Sequence, residues 1–335
     1  MQLFIKKFLL FTASILAIIV GIYVHDDPFK VLYHYDAYYP ANGQLHILLN
    51  KDFVSTQTFL QNYPVYKYDS YIFGNSRSQH YHIDDWAAYL DSKKCFHFDA
   101  SAETLYGIER KMELLNTMNV PINNALFVID NSVLQVTKNS TGAFYIKHSA
   151  LSKESKLKIE LASLNTFLDP NFFSGYLYLK IWGKINLSKK IFSDYPFHYD
   201  VSNNEFSFPA IEKEIKNDSE RFYTYQKTVL DNLIRPAVAR VASPAIGLEQ
   251  KALLVNIKKV LASNHTNYRF VINPLYDQIK LNPDDLKYLQ DLFGAGNVFD
   301  FSGKNIFTES YQNYYDGSHY RPFIAKQILD IIYKK

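Results

Sequence analysis

Two short stretches hold residues that could activate a hydroxyl. Gly74-Asn75-Ser76-Arg77-Ser78 follows the apolar run Tyr71-Ile72-Phe73, and Asp316-Gly317-Ser318-His319 lies just before the last predicted helix. A serine, an imidazole base and a carboxylate that orients the base are the parts of a nucleophilic acyl-transfer site. Ser76 falls where a strand gives way to a helix, so its backbone N–H sits at a helix N-terminus and can meet a developing oxyanion. Gly74 permits a tight backbone, and Asn75 can hydrogen-bond within the turn. Asp316 and His319 are three residues apart, close enough for the carboxylate to take the Nδ1–H and leave Nε2 for the serine. Each stretch also has a plainer reading. Ser76 can simply cap a helix, and His319 is one of 10 histidines, with His80 and His82 also near Ser76.

The rest of the chain must bring these stretches together. Its 335 residues, 47% hydrophobic and 21% charged, are enough for one large α/β domain with insertions. A net charge of +3 without a dense basic run argues against nucleic acid as a partner. The single cysteine, Cys95, lies in the apolar stretch Cys95-Phe96-His97-Phe98 and reads as a buried thiol. It rules out an internal disulfide and a cysteine-based zinc site. No His/Cys cluster has ligand spacing, so no cofactor or metal is expected. Asp69, Asp84 and Asp85 near Ser76 are better explained by a solvated loop and a helix start than by a metal-dependent hydrolase.

Lys6-Lys7 precede the uncharged apolar run Phe8 to Val24, which ends at His25-Asp26-Asp27-Pro28. That run is at the short end of what spans a bilayer. Its preceding lysines predict a cytoplasmic N-terminus with the remainder outside. The residues ahead of Asp26 lack a small-x-small cleavage site, which favours an uncleaved membrane anchor (1–25) over a signal peptide.

Residues 26–66 read as a Tyr-rich, irregular lead-in. In the remainder, 67–335, short apolar segments at 70–73, 95–98, 125–129, 268–272 and 298–301 read as buried parallel strands. Helical patterns at 83–90, 104–118, 244–263, 283–293 and 320–333 lie between and after them. Asn282-Pro283 supplies a cap and a first helical proline. This alternation predicts a doubly wound, three-layer α/β fold of the flavodoxin-like kind with about five strands. Ligands bind beyond the carboxyl ends of such strands, where Ser76 falls. Residues 135–243 interrupt the pattern and read as an inserted subdomain or lid, rich in aromatics such as the run from Phe172 to Trp182. Those aromatics would form the insertion's own small core, or else meet sugar rings or a membrane partner.

On these two stretches the chain resembles the SGNH (GDSL-like) hydrolase superfamily. Gly74-Asn75-Ser76-Arg77-Ser78 is similar to the family's first block, Gly-Asp-Ser-x-Ser, with asparagine in place of aspartate, and Asp316-Gly317-Ser318-His319 is similar to its last block, Asp-x-x-His. The resemblance covers roughly 68–134 and 244–335. It implies Ser76 as nucleophile, His319 as general base and Asp316 as its orienter. It also implies an oxyanion hole completed by a glycine after the second strand and an asparagine after the third. This chain has Asp99-Ala100-Ser101-Ala102-Glu103 in the first place, with no glycine before Gly107, so Ser101 or the Ala102 N–H would take the glycine's part; in the second, Asn131 is the expected donor.

An anchor followed by such a domain resembles the proteins that work beside membrane-bound O-acyltransferases in alginate acetylation and teichoic-acid D-alanylation. That resemblance implies a single-pass protein of the cytoplasmic (inner) membrane with an extracytoplasmic, periplasmic serine esterase or O-acyltransferase domain. Its substrate would be a cell-envelope glycan or acylated carbohydrate. The alternative is a non-catalytic scaffold or glycan-binding partner of such a complex.

Overall fold

The computed structural model describes residues 1–44, 46–185, 196–230, 235 and 238–334. Parts of the 135–243 interruption (186–195, 231–234, 236 and 237) lie outside the described residues.

All five predicted strands form one parallel sheet: β1 (Ser70–Gly74), β2 (Cys95–His97), β3 (Asn124–Ile129), β4 (Asn267–Ile272) and β5 (Val298–Asp300), in the order β2-β1-β3-β4-β5. Ser70 is in register with both Cys95 and Asn124, and Asn124 with Asn267. Side chains alternate between faces as strand geometry requires. Tyr71, Phe73, Ala125, Phe127, Tyr268 and Phe270 enter one core, while Ile72, Leu126, Val128 and Val271 enter the other. With both faces covered, the strands read as continuous apolar runs. The chain reverses its winding direction between β1 and β3. This is the switch point at which doubly wound sheets open a crevice beyond the strand ends.

The longer helices include α1 (Gln2–Asp26), α2 (Lys51–Tyr66), α3 (Leu105–Thr117), α4 (Lys156–Leu168), α5 (Pro170–Trp182), α6 (Pro209–Asn217), α7 (Leu248–Ser263), α8 (Pro283–Phe293) and α9 (Pro322–Tyr333), with a further helix, Ser219–Leu230, following α6. α2, α3, α7 and α8 cover one face, and α9 with the 81–87 region covers the other. The Asn282 side chain caps α8 by accepting from the Asp284 N–H at 2.9 Å, with Pro283 in the first turn. α1 is a helix long and apolar enough to cross a membrane.

Three expectations change. The lead-in is not irregular throughout, because α2 occupies its second half, capped by Asn50, whose Oδ1 accepts from the Phe53 N–H at 3.1 Å. The helix predicted at 83–90 is a single short piece, Ile83–Ala87, preceded by a 3₁₀ turn over Ser76–His80. The interruption's aromatics do form a core, but a shared one. Phe167, Phe172, Tyr176, Tyr199 and Phe206 pack with Phe29, Tyr38, Tyr39 and Phe53 of the lead-in and with Tyr23 of α1. Its strands Pro196–Asp200 and Glu205–Ser207 extend a small antiparallel sheet begun by Asn42–Gln44.

α2 escapes an amphipathic pattern because it buries charge. Lys51 pairs with Asp99 at 2.6 Å, Lys147 with Asp52 at 2.7 Å and with Glu103 at 2.5 Å, and Lys111 with Glu103 and with Asp52. All six side chains are buried. Three cations balanced by three carboxylates satisfy one another where a lone charge would be costly. The cluster bolts α2, the loop after β2, α3 and the interruption to one edge of the sheet. Gly107 leaves room for this pairing, since a Cβ there would stand 2.1 Å from Glu103 Oε1 and 2.5 Å from Lys147 Nζ and would displace the ion pair.

Buried histidines give the fold an acid-sensitive side. Burial pushes His97 and His148 down to about 4, and holds His80 and His82 below the usual range. A histidine whose folded pKa is depressed leaves stability intact above its unfolded value of roughly 6.5 and erodes it as pH falls toward the folded value. The expected result is a loss of about 3 kcal/mol for each of His97 and His148 between about pH 6.5 and 4. Urea unfolding at stepped pH checks this; a flat stability across that window would contradict it, and His97→Gln should reduce the slope.

Candidate active site

β1 ends against its neighbours so tightly that only glycine fits next: a Cβ on Gly74 would lie 2.5 Å from the Val128 carbonyl oxygen and 2.8 Å from Ser78 Cβ. The chain then turns into the 3₁₀ segment, whose cap is Asn75. The Asn75 Oδ1 accepts from the Arg77 N–H at 3.1 Å, and the Ser78 hydroxyl donates to the Asn75 carbonyl at 2.7 Å. Ser76 therefore heads the turn, and the first amides of such a turn have no partner within it. The segment is only five residues long, so local N–H groups rather than a long helix dipole are what it offers an anion.

The second stretch arrives on a tightly held loop. Tyr314 and Tyr320 form an antiparallel bridge, and the Tyr315 N–H donates to the His319 carbonyl at 2.8 Å. Tyr314 OH donates to the Pro274 carbonyl and Tyr320 OH to Asn273 Oδ1, fixing the loop to the end of β4. From the interruption, Glu212 of α6 grips Arg321 through both oxygens, at 2.9 and 2.6 Å, and accepts from Tyr315 OH at 2.7 Å.

These supports bring the three expected residues together. Ser76 Oγ lies 2.9 Å from His319 Nε2, and His319 Nδ1 lies 3.0 and 2.9 Å from the two Asp316 oxygens. Asp316 also accepts from the Ser318 and His319 N–H groups at 2.7 and 2.9 Å. Burial alone would raise its pKa, but the hydrogen bond and charge of His319 and those two amides hold it below the usual carboxylate value. An ionised Asp316 on Nδ1 fixes the tautomer that leaves Nε2 to accept the serine proton.

Two residues not singled out from sequence lock the halves of the site together. Asp130, buried after β3, accepts from Asn75 Nδ2 and Arg77 Nη1 at 2.8 Å, from Asn273 Nδ2 at 3.3 Å, and from Ser132. Burial opposes its ionisation, but Arg77 and these donors bring its pKa below the ordinary value. Arg77 in turn donates from Nε to the Ser318 carbonyl at 2.9 Å, tying the serine turn to the histidine loop. The network also explains the asparagine at 75. Facing the Asp130 carboxylate, that side chain must donate, which an aspartate cannot do. The sequence signal was the run Asp130-Asn131-Ser132 at the end of an apolar strand, the pattern of a helix cap.

The expected oxyanion donors are placed less directly. Asn131 lines a cavity of about 440 Å³ with Arg77, Asp130, Asn273 and Arg240. A separate cavity of about 260 Å³ touches His319 and Asp316 and is walled by His80, Tyr315 and, from the interruption, Phe208 and Ile211. Ala102 sits on an exposed turn after β2 with φ +49°. Among the described residues, neither Asn131 nor Ala102 hydrogen-bonds to Ser76, His319 or Asp316. The interruption thus borders the site through α6 and Phe208. Comparison with protein-family models finds no match to this chain, and comparison with curated proteins finds none either.

Proposed function

We propose that the chain is a membrane-anchored serine esterase or O-acyltransferase of the SGNH kind that acts on an acylated cell-envelope carbohydrate. The observation that carries this reading is the unbroken Ser76–His319–Asp316 hydrogen-bond chain at the switch point of a doubly wound sheet. In the first step His319 Nε2 takes the Ser76 proton as Oγ attacks an acyl carbonyl. The leaving alkoxide departs with that proton, and an acyl-Ser76 ester remains. In the second step a water or sugar hydroxyl gives its proton to Nε2 as its oxygen attacks the acyl carbon; the bond from that carbon to Ser76 Oγ then breaks, and Nε2 returns the proton to Oγ. The Ser76 N–H and the Asn131 side chain are the donors assigned to the oxyanion. Water acceptance makes the protein an esterase; exclusion of water in favour of a glycan hydroxyl makes it a transferase, working beside a membrane-bound O-acyltransferase that supplies acyl groups.

A scaffold of the same fold is the second reading, favoured by the exposed Ala102 turn that stands where the family has an oxyanion glycine. Mixing the full chain with p-nitrophenyl acetate separates the two. The enzyme reading expects a burst of p-nitrophenol and an acetyl group on the peptide carrying Ser76 in the quenched protein. A scaffold gives no burst and no acetylated Ser76.

A further inference from the structure

The apolar run of α1, from Phe8 to Val24, is 17 residues long, or about 25 Å at the helical rise. A bilayer's hydrocarbon core is about 30 Å thick. A spanning α1 therefore has no apolar turn to spare above the membrane, and its last turns, through Tyr23, must sit at the lipid boundary. Those same turns are already gripped by protein. Ile19, Ile22 and Tyr23 pack into the core shared with the interruption. The Tyr23 ring lies 5.3 Å from that of Phe167, and its hydroxyl donates to the Glu160 carbonyl of α4. Just beyond, Asp26 accepts from Tyr176 OH and pairs with Lys180 at 3.2 Å, both on α5. Whatever holds the end of α1 lies at the depth of the end of α1.

The outer side of α5 fits that depth. Its core side is Phe172 and Tyr176, whereas Tyr178, Ile181 and Trp182 point outward, 44%, 67% and 66% exposed. An aromatic and aliphatic edge on a helix joined to a membrane span is costly in water and favourable in the headgroup boundary, where Trp and Tyr concentrate. We propose that α4 and α5 form a membrane-lying hairpin, with Tyr178, Ile181 and Trp182 immersed in the lipid interface beside α1. The occupant of this edge is the phospholipid bilayer. The hairpin holds the interruption, and through the chain the site, at a set attitude to the membrane surface. This inference rests on α1 spanning the bilayer and is independent of any catalytic reading.

The chain has two tryptophans, which makes the test direct. Trp86 is fully buried on the α9 face of the sheet, with its Nε1 donating to Tyr333 OH. Full-length protein is placed in phosphatidylcholine liposomes with and without lipid brominated high on the acyl chain, beside a Trp182→Phe variant that reports Trp86 alone. The expected result is loss of the Trp182 share of emission in brominated lipid, with Trp182→Phe unaffected. Equal quenching of both proteins, or quenching of Trp182 by aqueous iodide instead, overturns the proposal. Protection of Trp182 from both quenchers also overturns it, since it would place another protein surface on this edge.

Discussion

Ser76→Ala and His319→Ala, each in the full chain, are expected to lower kcat for p-nitrophenyl acetate hydrolysis by about 10⁴-fold or more, and the double variant no further. The reason is the geometry of one proton path. Ser76 Oγ and His319 Nε2 share a single contact of 2.9 Å, so removing either atom removes the same step, and a step cannot be lost twice. Asp316→Asn should cost about 10³ to 10⁴-fold, because an amide facing Nδ1 favours the tautomer that places a proton on Nε2. The folding control is straightforward, since Ser76 is half-exposed and its side chain contacts the histidine rather than the core. Small, additive losses in the single and double variants would instead mean that background chemistry is being measured and that the scaffold reading stands.

How much of this could be read from the sequence follows from the kind of interaction involved. The five strands were legible because burial on both faces makes each an apolar run, and the order of elements along the chain dictated a doubly wound sheet. Ser76, Asp316 and His319 were legible because residue type and strand-end position both point to the same chemistry. α2 was not, because its buried side carries Lys51, Asp52 and Ser55, whose partners lie on α3, the loop after β2 and the interruption; local pattern carries no trace of a charge paired across the fold. The interruption's aromatics read correctly as core, yet their partners Phe29, Tyr38 and Tyr39 come from the lead-in, a pairing that composition cannot reveal. Asn131 attracted the oxyanion role by position, while its neighbour Asp130, which looks like an ordinary helix cap, organises the site.

That organising role makes Asp130 the second place where one atom matters most. Its Oδ2 accepts from Asn75, Arg77 and Asn273, and its Oδ1 accepts from the Ser132 amide and hydroxyl and from the Val133 N–H. Both oxygens face only donors, so Asp130→Asn has no favourable orientation: its NH₂ meets an N–H on either side. The expected cost is about 3–5 kcal/mol of unfolding free energy, the scale for removing one partner of a buried ion pair, read by urea denaturation. In the fraction that remains folded, kcat/KM should fall about 10² fold, because the serine turn and the histidine loop lose the Arg77 brace that sets their spacing. Asn75→Asp is the telling comparison. It restores the residue of the resembled motif, yet it sets two carboxylates about one hydrogen bond apart around Arg77 and Asn273, so it should destabilise at neutral pH and recover as pH falls and one carboxyl takes a proton. If Asn75→Asp were instead neutral at pH 7, the Asn75–Asp130 hydrogen bond would not be what places Ser76, and the brace would have to run through Arg77 alone.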